Sequence, residues 1–308
     1  GNPMYGLWAF FSGVILAVMI QMNGELSTAV GAYHAALYIH MIGIVAAVIL
    51  MAVRKETFIL VKKLAPWMYT GGIIGVLTTV FNNLAFSRIS LTSIVALGLF
   101  AQLIFSCLID RFGWFGMERR GQEDFSIPGI LCSAAGIALM LENPASGGSF
   151  YILISLGTGI TVVLSRIVNA RLSGHIGALQ GALVNHLTGL PFCLLLALIV
   201  PELSAPGRFR IFIWCGGILG VVTVAICNLI VPRLPAYRLA LFTMCGQLFC
   251  GILLDLLTGK LLNGREFLAG LMVAAGILIS QFSRSRKQEK QQKNAYIYEK
   301  TVGDDKEF

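Results

Sequence analysis

QMNGELSTAVG, residues 21–31, interrupts an apolar run that begins at Tyr5. Gln21, Asn23 and Glu25 arrive at alternate positions, and an apolar run resumes soon after. A variant of the same polar knot returns as IVNARLSGHIG, residues 167–177. A chain that places one polar device at two distant points of an otherwise greasy sequence invites a search for a repeat.

The greasiness comes first. Of 308 residues, 56% are hydrophobic and 12% charged, about half the charged share of a soluble domain. Mean hydropathy is +0.80. This composition describes an integral membrane protein. Lipid offers no partner to a bare backbone amide, so only helices or closed barrels can span it. The apolar runs here are long and do not alternate, which selects helices. The seven cysteines lie inside apolar runs without metal spacing and read as small core residues.

At about 20 residues per span, ten spans are expected, near 5–27, 31–53, 65–87, 90–111, 126–142, 150–172, 176–200, 210–231, 236–257 and 265–283. GNPM, residues 1–4, reads as a short remnant around a start at Met4. Residues 143–149 carry Pro144 and a glycine pair and form a polar joint near the midpoint. From 284 to 308 the chain is polar and basic, a tail expected to be disordered or loosely helical. With the N-terminus inside, the inner loops hold Arg54, Lys55, Lys62, Lys63, Arg111, Arg119, Arg120, Arg171, Arg233 and Arg238. The outer loops hold only Arg88, Arg208, Arg210, Lys260 and Arg265, so both termini are expected in the cytoplasm. The net charge of +8 then reports orientation and affinity for anionic membrane lipid, and nucleic acid is not an expected partner.

The repeat is explicit once the halves are overlaid. Asn23, Leu26, Ser27, Gly31, His40 and Gly43 fall on Asn169, Leu172, Ser173, Gly177, His186 and Gly189, a constant shift of 169 − 23 = 146. With a shift of 145, Gly71, Gly72 and Gly75 fall on Gly216, Gly217 and Gly220. Asn83, Arg88, Gln102 and Asp110 likewise fall on Asn228, Arg233, Gln247 and Asp255, and AAGI recurs at 134–137 and 274–277. The chain is two copies of one unit, 5–142 and 150–283. Five spans per copy is an odd number, so the second copy enters the membrane from the opposite side. Inverted repeats of this kind build secondary transporters with a site at the midplane.

QMNGELSTAVG with His40, and NARLSGHIGALQ with Asn185 and His186, resemble the drug/metabolite transporter superfamily, and within it the YdcZ-type family in its fused two-repeat form. The resemblance covers about residues 4–283. It implies an all-α membrane protein with ten transmembrane helices in two inverted five-helix repeats, an EamA-like fold, and export or exchange of small solutes across a bacterial plasma membrane. The small multidrug resistance branch couples through a glutamate deep in its first helix. Here Glu25 sits near the end of that helix and Arg171 occupies the equivalent place.

A polar group in hydrocarbon needs a partner or a water-filled cavity. His40, Asn185, His186, Gln102 and Gln247 lie near mid-membrane by helical rise and form the expected substrate-binding set. Asn23, Asn83, Asn169 and Asn228 sit nearer the faces and are added to it. His40 and His186 titrate in a useful range and are candidates for proton coupling. Glu25, His34, Arg171 and Gln180 are candidate gates. Against these stand blander readings: helix-to-helix hydrogen bonds, helix caps, and solvated charges, the last preferred for Asp110, Asp255, Arg88 and Arg233 at span ends. The glycine patterns GGIIG at 71–75 and GGILG at 216–220 read as close helix contacts.

No HExxH, GxSxG or paired intramembrane aspartate suggests an enzyme, and no cofactor or metal is expected. The reading is a secondary transporter of a small organic solute, neutral or weakly charged, working by alternating access. A channel, facilitator or lipid scramblase without proton coupling is the alternative. A monomer suffices, since the fused repeat supplies the two-fold partner; a homodimer stays open.

Overall fold

The computed structural model describes residues 3–58, 64–117, 126–142, 148–202, 210–230, 233–234, 236–259 and 264–304, apart from the side chains of 225, 227–229, 236–237 and 303–304. Among them are ten α-helices and no strand. The first half holds α1 (Pro3–Val30), α2 (Ala32–Val53), α3 (Gly71–Phe86), α4 (Leu91–Phe112) and α5 (Ile127–Glu142). The second holds α6 (Ser149–Ile176), α7 (Ala178–Ile199), α8 (Gly216–Ile230), α9 (Ala236–Thr258) and α10 (Gly264–Asp304).

The helix lengths repeat with the sequence: 28, 22, 16 and 22 residues for α1 to α4, then 28, 22, 15 and 23 for α6 to α9. Seven helices are long and apolar enough to cross a membrane by themselves: α1, α2, α4, α6, α7, α9 and α10. The remaining three have 15 or 16 residues. Short 3₁₀ turns, Pro66–Tyr69 and Ile211–Trp214, lead into α3 and α8 and lengthen their apolar path. The charged tail departs from the expectation of a loose segment, because α10 runs unbroken for 41 residues to Asp304.

One glycine separates each of the first helix pairs. Gly31 (φ 98°) and Gly177 (φ 88°) take backbone angles that L side chains rarely adopt, so α1 and α6 stop there and the next helix begins one residue later.

The packing is reciprocal between halves. Helix α1 lies on α8 and α9, α6 on α3 and α4, α2 on α7, and α5 on α10. Glycines set these crossings, as small residues do when lipid supplies no hydrophobic drive between helices. A methyl on Gly13 would strike Thr243 and Gln247 of α9; on Gly159 it would strike Gly98 and Gln102 of α4. Added to Gly72 it would strike Asn185 of α7; added to Gly217, Ile39 of α2. The largest buried cluster surrounds α4, with Leu91, Ile94, Leu97 and Leu99 against Leu248 and Ile277. Outside, Leu7, Phe11, Val45, Leu131, Leu198 and Leu257 are exposed, the surface a bilayer would cover.

Candidate functional site: two polar knots and the seam between them

The first knot is packed shut. Its α2 helix starts at a glycine that has no side chain to cap it, which leaves the first amides seeking acceptors. Glu202, three residues past the end of α7, supplies one: its Oε1 accepts from Tyr33 N (3.0 Å), His34 N (2.9 Å) and His34 Nδ1 (2.9 Å). A carboxylate here also meets the positive end of the helix dipole. Asn83 donates to Ala32 O at 3.1 Å, and Ser27 Oγ donates to Gly24 O at 2.6 Å. Gly24 is pressed on the Phe86 ring and Gly31 on Glu202. Gln21 donates to Glu25 Oε1 at 3.0 Å, so Glu25 is tied within its own helix.

The second knot is less crowded at its glycines. Among the described residues no heavy atom lies within 4 Å of a Cβ placed on Gly174 or Gly177. The position equivalent to Glu202 is Glu56, at 202 − 146. Glu56 stays with its neighbour Arg54 (3.5 Å), its side chain 38% exposed where Glu202 is 15% exposed. Arg171 donates to Phe115 O at 2.9 Å and lies 5.7 Å over the Trp67 ring, while Gln180 is buried.

Two acids correct the sequence reading at the first knot's end of the bundle. Asp255, expected as a solvated charge, is fully buried and accepts from Leu91 N (3.1 Å), Thr92 N (2.7 Å) and Thr92 Oγ1 (2.6 Å). Glu266, not singled out in the sequence, accepts from Ser90 N (3.2 Å) and Ser90 Oγ (2.9 Å). Both clamp the first turn of α4, whose amides need acceptors as those of α2 do. The equivalent Asp110 instead lies 3.7 Å from Arg284.

His40 and His186, equivalent in the repeat, come together where α2 crosses α7. Their rings are 5.5 Å apart, and each Nδ1–H donates to the carbonyl four residues back, Ala36 or Ala182, at 2.8 Å. Each ring also fills the space opposite a glycine of the other helix, Gly189 for His40 and Gly43 for His186. Gln102 accepts from Arg166 Nη1 at 3.1 Å, which places a guanidinium inside the α6 span; Gln247 is buried on α9. The side chain of Asn228 lies outside the described residues.

A polar seam joins these levels. On α6, Thr161, Ser165 and Asn169 face α3, each four residues from the next. Thr161 and Thr78 share a hydrogen bond of 2.6 Å. Ser165 donates to Gly71 O at 3.2 Å and accepts from Asn169 Nδ2 at 3.1 Å. The Oδ1 atoms of Asn169 and Asn185 are buried without a described partner. Gly75 lies between Asn185 and Ser165, with both side chains 3.9 Å from where its Cβ would sit. The related seam, around α8, α1 and α2, puts Ile15, Met19 and Ile39 where Thr161, Ser165 and Asn185 stand. At these three positions the related seam is apolar, although it keeps Thr223 opposite Thr78 in the repeat and Asn23, whose Oδ1 is likewise buried without a described partner. Sequence reasoning named Asn169 and Asn185 but missed Ser165, Thr161 and Thr78, which become visible only once α3 and α6 are known to pack.

The same two-copy organisation appears in the family match. A sequence profile described as "Putative inner membrane exporter, YdcZ" matches residues 4–139 and again 150–279. The chain belongs to the YdcZ family of drug/metabolite transporters. With its long apolar helices it is a multi-pass inner-membrane protein, and at that coarse level a YdcZ-type exporter. One crystal structure of a protein covers 93% of this chain and 100% of its own, with a TM-score of 0.60 and 15% identity, a likeness of fold alone. No curated protein matches the chain.

Proposed function

We propose that this YdcZ-family protein is a secondary transporter that exports a small organic solute by alternating access between two inverted five-helix repeats, with ten spans in all. The observation that carries the reading is the unequal use of an equal device. Glu202 caps α2 and seals one knot, while its counterpart Glu56 rests on Arg54 and leaves the other knot less crowded. Exchanging these two arrangements would open the first end and close the second, which is what a carrier needs.

With both termini cytoplasmic, the less crowded knot faces the cytoplasm and the described state is loaded from inside. The solute enters along Asn169, Ser165 and Asn185 toward the axis. Hydroxyl and amide groups suit a neutral or weakly charged solute with hydrogen-bonding edges. Arg166, held by Gln102, offers a partner for a single anionic group. Proton coupling in this reading belongs to the His40–His186 pair.

A thermal-shift ligand screen on purified protein, followed by liposome flux of the hits, tests the proposal. Saturable uptake accelerated by solute on the far side is expected. Flux that rises linearly with concentration and shows no counterflow would establish a channel instead. Rates indifferent both to a pH gradient and to H40Q or H186Q would remove the coupling assignment while leaving the carrier.

A further inference from the structure

The start of α1 and the extension of α10 meet at one end of the bundle, where a groove of about 1240 Å³ opens. Its floor is apolar, with Leu7 and Phe10 of α1, Phe242 of α9 and Phe282 of α10. Its rim is basic: Arg233 and Arg238 border α9, and Arg286 and Lys293 stand on α10. Glu289 is the one acid among the described lining residues. Phe282, Arg286, Glu289, Lys293 and Tyr296 recur every three or four residues, so a single face of α10 forms this wall. Glu289 meets Arg238 at 3.2 Å, and Arg233 lies 5.6 Å over the Tyr5 ring. Among the described lining residues four cations face one carboxylate, a positive rim where the apolar part of α10 gives way to its charged part.

We infer that this groove binds an anionic phospholipid, with the headgroup phosphate on the rim arginines and an acyl chain along the floor. Three features select that occupant. The volume exceeds the roughly 300–1,000 Å³ of most small-molecule sites, so a larger amphiphile fits better. A small free anion would leave the inner floor of Phe10 and Phe242 without an apolar partner, at a cost proportional to the apolar area left uncovered. A zwitterionic lipid carries its own cation, whereas a phosphate of net negative charge matches the arginine fork and the surplus of the rim. The bound lipid would tie α1 of the first half to α9 and α10 of the second.

The test uses the full chain in bilayers that mix phosphatidylglycerol with phosphatidylcholine, and native mass spectrometry of the lipid that stays bound. A cation near an anionic surface is worth about five-fold in binding. The wild type is expected to retain phosphatidylglycerol at least about five-fold over phosphatidylcholine. R286Q should lower that ratio measurably, and the double variant R233Q/R286Q should bring it near one. E289Q removes the rim's acid and should raise the ratio, which keeps the proposal exposed if the arginine variants fail to fold. K300Q changes the same charge on α10 away from the groove and should leave the ratio unchanged. Equal retention of both lipids by the wild type overturns the site, as does an unchanged ratio in R233Q/R286Q or E289Q. An equal loss in K300Q would mean attraction to tail charge in general and also overturns it. Millimolar inorganic phosphate should not displace the lipid; displacement would mark a site for soluble anions instead.

Discussion

Gly31 and Gly177 are the same residue in two copies of one unit, with nearly the same backbone angle, and their surroundings are opposite. Gly31 is pressed on Glu202 from the other half; Gly177 touches nothing described. The backbone break is therefore a property of the repeat, and the closure is not. Closure comes from a carboxylate that the opposite half lends, and the equivalent carboxylate, Glu56, stays with its neighbour Arg54. The same contrast separates Asp255, which clamps α4, from Asp110, which sits by Arg284.

The largest expected effect breaks the contrast at the acids. D255A would strand Leu91 N, Thr92 N and the Thr92 hydroxyl in a buried place. Hydrogen bonds to charged groups are worth about 1.5–3 kcal/mol each, so a loss of ~3 kcal/mol or more is expected. D110A removes a partly exposed pair at 3.7 Å and should cost under ~1 kcal/mol. Thermal denaturation in one detergent compares them, and equal drops in Tm would contradict the clamp. Next come the glycines. Both G31A and G177A incur the strain of a backbone region reserved for glycine, about 1–3 kcal/mol. Only G31A adds a collision with Glu202. G31A should therefore melt lower and label faster from outside at a cysteine placed at Ser27; the reverse order would mean that the two ends are misassigned.

The symmetry was legible in the sequence because glycine, asparagine and histidine are rare enough in an apolar chain to fix a register. Constant shifts of 146 and 145 put His40 and His186 at equivalent places near mid-membrane; that their rings meet is known only from the packing of α2 on α7. What stayed hidden were contacts across elements far apart in the chain. Asp255 at a span end looks solvated until α4 is seen to begin beside it, and their separation of 163 residues leaves no local trace. Glu202 and Glu56 lie in connections, where a carboxylate is unremarkable by type. The asymmetry of the seam is written in the sequence, as Ser165 against Met19 and Asn185 against Ile39. It acquires meaning only when α3, α6 and α7 are known to share an edge. The helical tail was underestimated for a related reason, since a charged segment that continues an established helix needs no new nucleus.

The latch itself gives a sharper version of the comparison. E202Q keeps the shape of Glu202 but removes the charge that faces three donors. A loss near ~1.5 kcal/mol shifts a two-state balance about ten-fold. The Ser27 cysteine should therefore label about ten-fold faster from outside in E202Q. E56Q should slow that labelling about ten-fold, because in the proposed cycle Glu56 caps only the state in which the first knot is open. Equal acceleration by both variants would deny that they work in alternation.

The smallest expected effect concerns the seam, and it separates entry from gating. Ser165 both donates to Gly71 O and accepts from Asn169, so S165A frees one carbonyl and one amide along the proposed path. Gly71 is buried and Asn169 Oδ1 is buried beside it, so S165A should cost about one hydrogen bond of stability, ~1 kcal/mol. A solute that used the seam would lose about one hydrogen bond, ~1 kcal/mol, and its KM should rise about five-fold with kcat held within about two-fold. The counterpart M19A removes apolar bulk from a sealed seam and should leave KM where it was. If M19A raises KM as much as S165A does, the solute does not distinguish the halves. The polar seam would then be a feature of packing between α3 and α6, with the binding site elsewhere along the axis.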